Sequence, residues 1–149
     1  MGLEIKELGH VVLFVHDWVK MRHFYGKILG FREVASQPGM ATFSSGRTHH
    51  ELLLIEVGAK PQPKGKGLPG LYHIGFKIGD TDAELVEAKR VMEKEGVKII
   101  GFGDHHVTHS MYVVDPEGNE LELYVDVNAD WKKDPSVVMK PVKSLQLEE

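Results

Sequence analysis

Three stretches of the chain alternate side chains with the period of a strand, and each carries a residue able to bind a cation. They are Gly9-His10-Val11-Val12-Leu13-Phe14-Val15, Tyr72-His73-Ile74-Gly75-Phe76-Lys77-Ile78 and Asn119-Glu120-Leu121-Glu122-Leu123-Tyr124-Val125. Successive side chains of a strand point to opposite faces. Parity puts His10 with Val12 and Phe14, His73 with Gly75 and Lys77, and Glu122 with Glu120 and Tyr124. It leaves Ile74, Phe76, Ile78, Leu121, Leu123 and Val125 on an apolar opposite face. Helices of the second half are expected to cover that face. His73 and Glu122 then point the other way, with His10, into a concave and partly polar interior.

The spacing of apolar positions predicts the same unit twice. In the first copy a strand near 8–15 leads to a helix near 18–29, with Val19, Phe24, Ile28 and Leu29 as its apolar stripe and Gly30 as its stop. Strands near 31–36, 40–45 and 49–57 follow, separated by the turn-prone pairs Pro38-Gly39 and Gly46-Arg47. In the second copy a strand near 71–78 runs through Asp80-Thr81-Asp82, a capping sequence, into a helix near 82–95 with Leu85, Ala88, Val91 and Met92 on one side. Strands near 97–102, 108–114 and 119–126 complete it, with Asp115-Pro116-Glu117-Gly118-Asn119 as the tight turn before Glu122.

Each copy is thus βαβββ, an α+β pattern. We expect one domain over residues 1–149, with module one at about 8–58, a linker at 59–70, module two at about 71–127 and a tail at 128–149. The linker is rich in Gly, Pro and Lys and lacks the G-x-x-x-x-G-K-[ST] spacing of a phosphate-binding loop. The tail carries Trp131, Pro135, Val137, Val138, Met139 and Pro141, apolar enough to lie over the mouth of a pocket.

Composition narrows the chemistry. With 42% hydrophobic and 27% charged residues the chain is globular in type, and its net charge of −4 argues against nucleic acid and anionic membrane surfaces as partners. No stretch reaches the roughly twenty apolar residues of a membrane span, and the N-terminal residues lack an apolar signal segment, so a cytoplasmic location is expected. Cysteine is absent, so a bound metal must be held by imidazole and carboxylate. Taken singly, His10, His73 and Glu122 would read as a hydrogen-bonded interior histidine or a solvated carboxylate. Taken together they offer two imidazoles and one carboxylate, a set that leaves open positions on a divalent metal for substrate and dioxygen.

Near these strands His49, His50, His105, His106, His109 and Tyr112 are candidates for proton chemistry. Adjacent residues of a strand face opposite ways, so at most one of His49 and His50 is expected to enter the pocket, and parity does not choose between them. Tyr112 shares parity with Thr108 and Ser110, a polar row suited to the interior. Arg47 is a candidate for holding a substrate carboxylate.

The paired units and the strings G-H-V-V-L-F-V, F-Y-G-K-I-L-G-F, L-Y-H-I-G-F and D-P-E-G-N-E-L-E-L-Y resemble the vicinal oxygen chelate superfamily from Leu8 to about Val127. That superfamily includes glyoxalase I, extradiol dioxygenases, epimerases and bleomycin-sequestering proteins, so membership does not settle the activity. The resemblance implies two modules curled into an open mixed sheet around one metal. Within it the short extradiol catechol dioxygenases are most similar. Thr48-His49-His50-Glu51-Leu52-Leu53-Leu54 resembles their H-[DE]-x-x-L segment, and Asp104 to Tyr112 resembles their D-H-G-V-S-H-S-x-Y stretch, with His106 standing in place of Gly.

The resemblance implies metal ligands His10, His73 and Glu122, an acid–base role for His50, substrate binding by His105 and hydrogen bonding by Tyr112. It further implies Fe(II), with Mn(II) sharing the same ligand preference, and an aromatic diol and O2 as substrates. The chain corresponds to the catalytic domain alone of the two-domain enzymes, so a homodimer is expected to complete the pocket if the tail does not. A glyoxalase I-like lyase with Zn or Ni would instead recruit Glu51 as a fourth ligand. A non-enzymatic sequestering protein would need no metal.

Overall fold

The computed structural model describes residues 2–63 and 67–148, so residues 64–66 of the expected linker lie outside the described residues. The chain divides after Pro63 into two compact units.

The first unit runs β1 (Val11–Val15), α1 (Trp18–His23), a π-helical turn (Phe24–Ile28), β2 (Glu33–Gln37), β3 (Met40–Phe43) and β4 (Leu52–Glu56). Its sheet has the order β1-β4-β3-β2, with β1 and β4 parallel and the other neighbours antiparallel. The second unit repeats this as β5 (His73–Gly79), α2 (Asp82–Lys94), β6 (Lys98–Asp104), β7 (Thr108–Val114) and β8 (Glu120–Asp126), in the order β5-β8-β7-β6. Two four-stranded mixed sheets, each with one principal helical segment, make the α+β architecture expected from the repeat.

In the first unit the core is Leu13, Val15, Met21, Phe24, Tyr25, Ala41, Phe43, Leu52 and Leu54, all buried. Met21, Phe24 and Tyr25 follow the i, i+3, i+4 spacing that faces one side of a helix. Val19, expected in that stripe, is exposed instead, because the face turned to β3 and β4 is the one bearing Met21. Asp17 starts the helix by accepting the Lys20 N–H at 3.0 Å.

In the second unit α2 buries Leu85, Val86 and Met92. It packs on a sheet face built from Met111, Val113, Leu121, Leu123 and Val125. These residues are in register, Leu121 opposite Val113 and Ile74, and Leu123 opposite Met111 and Phe76. Thr81 is the N-cap of α2, and Glu84 reaches back to accept the Asp80 and Thr81 N–H groups at 2.7 and 2.9 Å. The turn into β8 closes on buried Asp115, which accepts from the Glu117 and Asn119 backbones at 2.9 Å each and from the Asn119 side chain at 2.7 Å.

The tail belongs to the second unit. Asp104 and Lys143 exchange two backbone hydrogen bonds of 2.9 Å, and Val137 is buried. Short 3-10 turns at Asp130–Lys132 and Pro135–Met139 carry Trp131 and Val138. Among the described residues no helix is long and apolar enough to cross a membrane.

Two substitutions test this account of the core. Leu121→Ala is expected to lower the unfolding free energy in urea by about 2–5 kcal/mol, through lost burial and the cavity left behind. Val34→Ala, on the exposed edge strand β2, is expected to change it by less than about 0.5 kcal/mol. Equal effects from the two would contradict the burial pattern.

Candidate metal centre

Because α2 covers one face of the second sheet, the opposite face collects what the alternation leaves over. Gly75 of β5 and Tyr112 of β7 both lie opposite Glu122 of β8, and Ser110 lies opposite Tyr124. The Nε2 of His73 and the Oε2 of Glu122 stand 3.1 Å apart. Two ligand atoms at adjacent positions of one cation, with bonds of about 2.0–2.2 Å, would be separated by about 3 Å.

The other carboxylate oxygen is spoken for. Ser110 Oγ donates to Glu122 Oε1 at 2.6 Å, and the Tyr112 hydroxyl donates to the same atom at 3.3 Å. His105 Nε2 lies 2.6 Å from the Tyr112 hydroxyl. With the hydroxyl proton on Glu122, His105 Nε2 is the donor to Tyr112. Burial, and next the negative charge of Glu122, push the Tyr112 phenol well above its ordinary pKa, so it stays protonated and remains a donor. The polar row of Thr108, Ser110 and Tyr112 thus faces the site as parity expected.

Three observations bear on whether these residues suit a cation. Imidazole and carboxylate are the donor types for a divalent metal. A Cβ built on Gly75 would come within 3.6 Å of Glu122 Oε2, so the missing side chain keeps open the space beside that oxygen. His73 Nδ1 is buried without a hydrogen-bond partner, with Glu120 Oε1 at 3.9 Å. A histidine that binds metal through Nε2 carries its proton on Nδ1 and donates it to a nearby acceptor, and Glu120 is a carboxylate on that side of the ring. The residues fit. Within this unit they amount to one imidazole and one carboxylate, and among the described residues no group of three or more His, Asp or Glu side chains forms a ready cage.

A cleft of about 270 Å³ opens beside Glu122, lined also by Val107, Thr108, Tyr124, Asp126, Trp131 and Val138. The tail therefore supplies part of its wall. Gly103, opposite Ser110, leaves room for the His105 ring, since a Cβ there would approach His105 Nε2 to 3.2 Å.

The remaining second-unit histidines have other tasks. His109 lies on the α2 side of the sheet, with Nδ1 2.6 Å from Asp82 Oδ1 at the start of the helix, so it takes no part in this cluster. His106 is the one described non-glycine residue with positive φ, at 72°. A left-handed residue with a Cβ costs about 1–2 kcal/mol, so Gly would suit this position better than His. Its carbonyl accepts from Asn128 Nδ2 at 2.6 Å, and its ring faces Asp130 and Lys140 of the tail.

The first unit gathers a second set of imidazoles. His10 immediately precedes β1, and its ring lies 4.5 Å from that of His50 and 6.3 Å from that of His49. The strand expected from 49 begins only at Leu52. Residues 44–51 fold on themselves, with Ser44 Oγ donating to the Thr48 carbonyl at 2.6 Å and Ser45 donating to Glu51 through N–H and Oγ at 2.9 and 2.5 Å. Strand alternation therefore does not govern His49 and His50. Both join His10, with their Nδ1 atoms 2.6 Å apart. Burial and the neighbouring His10 and His49 lower the pKa of His50 from its ordinary 6.5.

Glu51, the alternative fourth ligand, has both oxygens engaged by Ser45, with Arg47 at 3.5 Å. Burial opposes its ionisation, but hydrogen bonds from Ser45 and Ser44 prevail and lower its pKa. Arg47 is not poised for a substrate carboxylate. It donates to Glu7 at 2.8 Å and to the Leu8 and Gly9 carbonyls at 3.1 Å each, holding the segment that presents His10.

Residues 7–123 match the model of the Glyoxalase/Bleomycin resistance protein/Dioxygenase superfamily, and the chain belongs to that superfamily. It is 28% identical over 120 residues to biphenyl-2,3-diol 1,2-dioxygenase 2 of Rhodococcus globerulus, covering 80% of this chain and 63% of the relative. It is 26% identical over 132 residues to catechol-2,3-dioxygenase of Bacillus subtilis (strain 168), covering 88% and 46%. The chain thus spans only about half to two thirds of the length of these relatives. Among solved structures it is similar to a glyoxalase/dioxygenase from Nostoc punctiforme, with a TM-score of 0.69, 23% identity and coverage of 83% and 92%. A lactoylglutathione lyase from Agrobacterium tumefaciens gives 0.61, 22%, 81% and 94%. Both structural likenesses concern the fold.

One titration tests the histidine cluster. In the metal-free protein, NMR is expected to find His50 titrating below 6.5, and His10→Ala is expected to raise it by removing the repulsion of a second imidazolium. A His50 that titrates at or above the ordinary value in the unmodified chain would contradict the packing of these rings.

Proposed function

We propose that this protein is an Fe(II)-dependent extradiol ring-cleaving dioxygenase acting on a catechol-type aromatic diol with O2. The observation that carries the reading is the pairing of His73 Nε2 with Glu122 Oε2 at 3.1 Å, beside the His105–Tyr112 hydrogen bond. The likeness to two aromatic diol dioxygenases supports it.

In this reading His10, His73 and Glu122 hold the iron. Mn(II) would suit the same ligands. Bound there, the metal supplies acidity to a diol hydroxyl and a meeting place for diol and O2. The protein's own groups do the rest. His50, kept neutral near pH 7 by its lowered pKa, accepts a proton from the diol and returns one as the ring opens. Tyr112 and His105 hydrogen-bond the diol oxygens and orient them. Trp131 and Val138 of the tail give the ring an apolar wall and exclude water. The carbon–carbon bond next to the diol breaks, and both atoms of O2 enter a product of the 2-hydroxymuconic semialdehyde type. We take the enzyme to be cytoplasmic and to act as a homodimer.

A glyoxalase I-like isomerase with Zn or Ni would need Glu51 free to bind metal, and the hydrogen bonds from Ser45 favour the dioxygenase. A sequestering protein would leave the His73–Glu122 pair without a task.

Anaerobic loading with Fe(II), followed by a panel of catechols in air, is expected to give a yellow ring-fission product, while the Ni- or Zn-loaded protein is expected to leave the hemithioacetal of methylglyoxal and glutathione untouched. The reverse result would replace this reading with the glyoxalase one. Glu122→Ala is expected to lose iron by elemental analysis. His50→Gln is expected to keep iron and lose about 10²-fold or more in kcat. Full activity of either variant would remove the role given to that residue.

A further inference from the structure

Ser110 has no exposed surface and lies in mid-strand on β7, where a hydroxyl is costly unless it is bonded. Its partner is not the residue opposite, Tyr124, but the diagonal neighbour Glu122 on β8. At 2.6 Å this bond is shorter than that of the Tyr112 hydroxyl, which stands at 3.3 Å from the same oxygen. Both converge on Oε1, with His105 Nε2 3.8 Å from the same atom. Oε2 has the opposite surroundings. It faces His73 Nε2 at 3.1 Å, and the absence of a side chain at Gly75 leaves space beside it.

We propose that Ser110 is a positioning residue for Glu122: by fixing Oε1 it prevents the carboxylate from turning, so that Glu122 meets a cation through Oε2 alone. The inference rests on the metal reading given above and extends it to the manner of coordination. The terminal torsion of a glutamate is soft and roughly two-fold, so an unrestrained carboxylate can rotate or present both oxygens. Two oxygens on the metal would occupy a position that a diol needs. A hydroxyl bonded to Oε1 from the protein side removes that option, and a buried donor does so without competition from water. Supporting partners of this kind typically change metal affinity by about 10–100-fold when removed.

The test is metal binding by the full chain, without turnover. Wild type, Ser110→Ala and Ser110→Thr are titrated with Mn(II) by calorimetry, visible spectra of their Co(II) forms are compared, and melting of the metal-free proteins is recorded. Ser110→Ala is expected to bind Mn(II) about tenfold or more weakly and to show an altered Co(II) spectrum. Ser110→Thr, which keeps the hydroxyl, is expected to stay within about threefold of wild type. Should Ser110→Ala fold poorly, Ser110→Cys, with only a weak donor in a similar volume, carries the same expectation. If Ser110→Ala melts lower but binds Mn(II) as tightly as wild type with an unchanged Co(II) spectrum, the hydroxyl is merely structural and the proposal is overturned while the metal reading stands. If wild type takes up none of Fe(II), Mn(II) and Co(II), both fall together.

Discussion

The second sheet has one face it must bury and one it must not, and everything at the candidate centre follows from that division. Leu121, Leu123 and Val125 go under α2 with Met111 and Val113. With a period of two, Glu120, Glu122, Tyr124 and Asp126 are then forced onto the other side. A slip of one residue in β8 would bury Glu122 beneath the helix and expose Leu121. The apolar core therefore locks the register, and the register brings Tyr112 and Gly75 opposite Glu122.

The polar face works as a set of divided tasks. One carboxylate oxygen takes the hydroxyls of Ser110 and Tyr112, and the other faces an imidazole. Small residues make the room: Gly75 in front of Glu122, and Gly103 beneath the His105 ring. The tail adds apolar cover through Trp131 and Val138 and is itself fastened by the Asp104–Lys143 bridge. His106 anchors its start in a strained left-handed conformation through the Asn128 bond. The first unit contributes a different device, in which Arg47 ties down the two residues ahead of His10 and the folded loop 44–51 brings two further imidazoles against it.

Much of this was legible beforehand. The paired βαβββ units, the strands that hold His73 and Glu122, the inward row of Ser110 and Tyr112 and a cap for α2 within Asp80-Thr81-Asp82 all follow from periodicity and turn chemistry. Other points were not legible. Residues 49–51 look like the beginning of a strand because His49 to Leu54 is an unbroken run without Gly or Pro. Hydrogen bonds from Ser44 and Ser45 decide otherwise. Arg47 looked available for a ligand because nothing adjacent in sequence marks Glu7 and the Leu8 and Gly9 carbonyls as its partners. Val19 fits an apolar stripe on α1 by spacing alone, but Met21 and Tyr25 set the phase of the buried face and leave it exposed.

By itself the sequence determined which face each side chain of a strand would take, since alternation is a local property of extended backbone and the apolar half must be buried. It also determined that any metal here would be held by nitrogen and oxygen, as no thiol is present. Only the tertiary structure decided that Ser110 bonds Glu122 rather than Tyr124, that His109 serves the helix rather than the site, and that His49 and His50 both lie against His10. These are relations between residues distant along the chain. They depend on register, diagonal reach and loop closure, which arise when separate segments pack together.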